Sequence, residues 1–162
     1  MRISHLVINL LLGCVVFCTT GIQVSAQSVI PVPLKIEQNE GVFRILETTK
    51  LYTNLKGEKR KILEDYLVTL PRPFNVGMNG EEDMRENVII LQKVKVAGRG
   101  TLKHPESYSL KVTPHRILIQ AGTDAGLFYG LQTLMQLTES TSKNEWTVHA
   151  TYIEDTPRFD YR

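Results

Sequence analysis

A chain of 162 residues accommodates one domain of ordinary size with a leader or tail. It is 42% hydrophobic and 22% charged, with 7 prolines and 11 glycines, a composition that excludes low-complexity and collagen-like classes. With 19 basic residues against 17 acidic ones, the net charge of +2 gives no electrostatic reason for a nucleic acid or an anionic membrane as partner.

Residues 1–26 read as a cleaved leader. Arg2 and His5 open a short polar region, and Leu6 to Cys18 is an almost unbroken apolar run. Val24, Ser25 and Ala26 then supply the small residues that precede a signal-peptidase cut. The run falls short of the roughly 20 apolar residues that span a bilayer, so the expectation is export to the periplasm or medium, with no membrane span. Both cysteines, Cys14 and Cys18, lie inside this leader. Leu11-Leu12-Gly13-Cys14 resembles a lipoprotein box, but Val15-Val16-Phe17 would leave an apolar stretch behind a lipidated Cys14. Cleavage after Ala26 leaves no cysteine, hence no disulfide framework.

Ile30-Pro31-Val32-Pro33 begins the body as an extended segment, because each proline disfavours helix in the residue before it. Residues 38–41 (Gln-Asn-Glu-Gly) predict a turn, Val42 to Ile45 a short strand, and Leu51-Tyr52 another. From Glu58 to Leu70 the period changes. Ile62, Leu63, Tyr66, Leu67 and Leu70 share a helical face, and Pro71 and Pro73 stop the helix. Val88-Ile89-Ile90-Leu91 predicts a central strand. Tyr108, Leu110 and Val112 alternate into a turn at 113–116, and Ile117-Leu118-Ile119 returns as the second arm of a hairpin. Asp124 is the expected N-cap of a second helix from Ala125 to Leu137, with Leu127, Phe128, Leu131, Leu134 and Met135 on its apolar face. A last strand runs from Thr147 to Ile153. This order predicts an α+β fold, a largely antiparallel sheet with both helices packed on one face.

Candidate chemistry is sparse. His104, His115 and His149 have no zinc-ligand spacing, and solvated histidines are the plainer reading. Glu81-Glu82-Asp83 lacks the alternation of a calcium loop. Gly98-Arg99-Gly100 is too short for a phosphate cradle, and no Gly-x-Ser-x-Gly elbow occurs. No cofactor or metal is expected, and no catalytic residue.

Two stretches carry a resemblance. Residues 122–137 (GTDAGLFYGLQTLMQL) are similar to the helix that closes the small domain before the barrel in family-20 hexosaminidases. Gly126 and Gly130, four apart, share a helix face on which a missing side chain lets the sheet approach. Residues 153–162 (IEDTPRFDYR) resemble the start of the first barrel strand of these enzymes, as Ile30-Pro31-Val32-Pro33 resembles the start of their small domain.

The resemblance implies a β-N-acetylhexosaminidase of glycoside hydrolase family 20, acting on glycans that contain N-acetylhexosamine by substrate-assisted hydrolysis. It implies a leader at 1–26, the small domain at 27–154, and the start of the (β/α)8 barrel at 155–162. It assigns Arg162 to the hydroxyls of the terminal sugar. The catalytic Asp-Glu pair of the family has no counterpart, since the sequence holds no Asp-Glu dipeptide. The expectation is therefore a fragment without the catalytic domain, inactive by itself. The alternative is a free-standing exported module that binds carbohydrate or protein.

Overall fold

The computed structural model describes residues 29–69, 86–95, 102, 104–142 and 145–157. Along them run strand β1 (Lys35–Ile45), β2 (Lys50–Thr53), helix α1 (Glu58–Thr69), β3 (Val88–Lys93), β4 (Tyr108–Val112), β5 (Arg116–Ala121), helix α2 (Asp124–Leu137), β6 (Glu139–Ser142) and β7 (Glu145–Asp155). Branched side chains that pack well on a pleated surface crowd into β3 and β5, which become inner strands. The strands form one sheet in the order β1-β7-β4-β5-β3-β2, with β6 paired to β7 off this path.

The β1–β7, β7–β4, β4–β5 and β6–β7 pairings are antiparallel, while β5–β3 and β3–β2 are parallel. Parallel neighbours need a long crossover, and α1 lies within the one that joins β2 to β3. Both helices cover one face. Leu127, Leu131 and Leu134 of α2 share a buried cluster with Leu110, Ile117 and Ile119 of the hairpin, and Leu67 brings α1 into it. The helices lie side by side: the Tyr66 and Phe128 rings are 5.4 Å apart, and the Gln132 amide donates to the Tyr66 hydroxyl. Fully burying a side chain of this size contributes about 1.5–3 kcal/mol, so this layer supplies much of the driving force. No helix among the described residues is long and apolar enough to cross a membrane.

The α+β architecture agrees with the sequence reading, and four local differences have physical reasons. Gln38 to Gly41 is a bulge within one long β1 rather than a turn between elements, and Gly41 takes φ +107° there. The N-cap of α2 is Thr123 rather than Asp124, because the Thr123 hydroxyl accepts from the Gly126 amide at 3.1 Å. Ile62 and Phe128 point outward, 62% and 45% exposed, although both fall near the apolar stripes. Leu137 and Thr133 are buried on α2 instead. Finally, β6 forms at 139–142, where no apolar alternation announces a strand.

Candidate functional site

The end of the sheet at which β7 leaves is a closely tied polar region. Residues 104–107 make a turn: the His104 carbonyl accepts from the Ser107 amide at 3.0 Å, and its ring Nδ1 accepts from the Glu106 amide at 3.2 Å. The Ser107 hydroxyl then donates to Thr156 Oγ1 at 3.1 Å. Beside it, Thr123 caps α2 and also donates to the Pro105 carbonyl. Asp155, buried opposite Tyr108, accepts from the Leu34 amide at 3.3 Å. A turn, a helix start, the backbone at Leu34 and the exit of β7 are thus fastened together. This arrangement holds backbone in place and aims the chain at Pro157.

Two charged groups flank the helical layer and the sheet. Asp124, in the first turn of α2, meets Lys59 Nζ at 2.5 Å and Lys93 Nζ at 2.8 Å, which joins α1, α2 and β3. Hydrogen bonds from Lys59 and then Lys93 hold its carboxyl below the usual carboxylate range. On the other face of the sheet, the Tyr152 hydroxyl donates to Glu154, and Lys35 Nζ stands 5.5 Å from the Tyr152 ring centre. Burial first, then that bond and the charges of Glu154 and Glu37, push the Tyr152 phenol up to about 12.

The residues singled out from sequence are placed as follows. Arg162, Arg158, Cys14, Glu81-Glu82-Asp83 and Gly98-Arg99-Gly100 lie outside the described residues. His104 serves the turn just described. His115 sits in the β4–β5 turn, where its carbonyl accepts from the Asn87 amide at 2.7 Å, and His149 is exposed on β7 opposite Val42. Among the described residues no three His, Cys, Asp or Glu side chains are grouped as metal ligands. Sequence reasoning missed Asn87, whose left-handed φ of 52° lets one residue bond to β2, the β4–β5 turn and the end of β1. Its signal was an asparagine immediately before an apolar strand, which tolerates that conformation.

A largely antiparallel sheet carrying both helices on one face defines a small α+β domain by class. The chain belongs to glycosyl hydrolase family 20, whose domain 2 matches residues 26–156. It corresponds to the small N-terminal domain of the larger enzymes and not to their catalytic barrel. Among solved structures, the GH20 β-N-acetylhexosaminidase of Streptomyces coelicolor A3(2) is similar at 29% identity and TM-score 0.68, over 83% of this chain and 27% of that one. The N-acetyl-β-hexosaminidase of Streptomyces plicatus, solved with Thio-NAglucal, matches at 30% identity and TM-score 0.66, over 83% and 27%. The β-N-acetylhexosaminidase of Bacteroides fragilis NCTC 9343 matches at 27% identity and TM-score 0.65, over 82% and 25%. The chain spans about a quarter of the length of these relatives.

Proposed function

We propose that this chain supplies the non-catalytic N-terminal domain of an exported β-N-acetylhexosaminidase, which removes terminal N-acetylhexosamine from glycans by substrate-assisted hydrolysis. The observation that carries the reading is the family match over residues 26–156, joined to the activity named for all three solved relatives. In such hydrolysis the acetamido oxygen of the sugar attacks its own anomeric carbon, an aspartate orients that group, and a neighbouring glutamate protonates the leaving oxygen. A barrel to hold these groups needs about 250 residues, and the 162 here include no Asp-Glu pair. Residues 27–154 are then the scaffold and 155–162 the start of the barrel. Arg162 offers its planar guanidinium to the sugar hydroxyls.

Residues 27–162 alone hydrolyse no N-acetylglucosaminide in this reading, because leaving-group protonation, worth roughly 10²–10⁴-fold, has no donor. The test is a chromogenic N-acetyl-β-glucosaminide incubated with the purified chain. Turnover that survives purification and falls on substitution within 27–162 would place an active site here and overturn the reading. Export is checked separately by mass analysis of the secreted product. Gln27 is the expected first residue, and a lipidated Cys14 would contradict it.

A further inference from the structure

The segment before β1 is an apolar strap fixed at both ends. The Ile30 amide donates to the Gln136 side chain at 2.8 Å, and that side chain donates back to the Ile30 carbonyl at 3.0 Å, close to the C-terminal end of α2. Four residues on, the Leu34 amide donates to Asp155. Asp155 pairs with Tyr108, which pairs with Ala121, the last residue of β5 just ahead of α2. The strap therefore runs against the direction of α2, from its last turn toward its first. It lies on the β7 side of α2, whereas α1 lies on the β3 side.

Val29 and Pro33 turn inward and are buried, whereas Ile30, Val32 and Leu34 are 73%, 68% and 56% exposed. No charged residue occurs between Gln27 and Leu34. A pinned row of large apolar side chains facing water marks an interaction surface. Its far end is bonded to the residue at which β7 leaves the sheet, so a domain continuing from Thr156 would begin beside Leu34. In the solved relatives, about three quarters of the chain lies outside the matched region.

We propose that Ile30, Val32 and Leu34 form the docking strip for the folded domain that follows Asp155 in the family's enzymes, an inference resting on the function proposed above. Two measurements test it. The first superposes residues 29–157 on the Streptomyces coelicolor enzyme and compares the exposure of the positions matching the strip with and without the rest of that chain. These positions should be covered, and finding them open to solvent overturns the proposal.

The second replaces the matching domain of that enzyme with residues 27–157 of this chain. The triple substitution Ile30→Ser, Val32→Ser and Leu34→Ser should lower the melting midpoint of this chimera by about 5 °C or more. The same substitutions should leave residues 27–162 alone unchanged, since those side chains already face water. An unchanged chimera overturns the strip, as does a dimer of residues 27–162 that the triple substitution splits. A chimera with no hydrolytic activity while the superposed strip is covered counts instead against the proposed function.

Discussion

Gly130 of α2 stands so close to Ile119 of β5 that a Cβ at the glycine would lie 2.5 Å from the isoleucine Cγ2. One turn earlier, a Cβ at Gly126 would lie 2.4 Å from the Ser107 carbonyl oxygen and 2.8 Å from the Ala121 Cβ. The two glycines seat the helix directly on the β4–β5 hairpin. In an open helix, Gly→Ala stabilises by about 1 kcal/mol. Here the overpacking cost of about 1–3 kcal/mol wins, because Ile119 is fully buried and the Ser107 oxygen belongs to backbone. Gly126→Ala and Gly130→Ala should both lower stability in urea denaturation, Gly126→Ala the more. A gain in stability at either site would show that the helix has room to lift.

The buried Tyr108 hydroxyl lies 2.6 Å from Thr133 Oγ1, a polar tie between β4 and α2 within an apolar layer. Tyr108→Phe and Thr133→Val should each cost about 1 kcal/mol. The double variant should cost less than the two together, since both remove one bond. Strict additivity in a double-mutant cycle would mean that the two hydroxyls do not interact.

Tyr152 gives the fold an alkaline limit. Its folded value of about 12 lies above the ordinary phenol value, so the unfolded chain loses this proton first as pH rises. The contribution of Tyr152 is present below about pH 10 and is lost as pH climbs through about 12. Absorbance at the phenolate band should show a late titration that Tyr152→Phe removes, and Glu154→Gln should bring that titration to lower pH. A Tyr152 that titrates with the free amino acid would refute the assignment.

Asp124 acts at the other end of the scale. Lys59 and Lys93 depress its folded value, so its contribution is present above the ordinary aspartate range and fades as pH falls through the folded value. The side chain is 40% exposed, so solvent screening limits the contribution to about 1 kcal/mol or less. Asp124→Asn should therefore destabilise slightly at pH 7 and not at strongly acid pH, with the difference shrinking in salt. An equal loss at both pH values would point to helix-start geometry rather than charge.

The sequence by itself determined the α+β class, both helices, the 108–119 hairpin, the inner strand at 88–91 and the family, because period and turn chemistry are local properties. It also foretold the role of Gly126 and Gly130, whose spacing of four places them on one helix face. Tertiary structure alone decided that β5, β3 and β2 run parallel, since strand direction depends on where the crossover containing α1 returns the chain. It likewise decided that Ile62 and Phe128 face outward while Thr133 lies inside with Tyr108, because each helix is rotated by what its neighbours leave room for. The bonds from Gln136 to Ile30 and from Asp155 to Leu34 join residues more than a hundred positions apart. No local pattern encodes such contacts, which exist only once α2 and β7 have come to lie beside the segment that precedes β1.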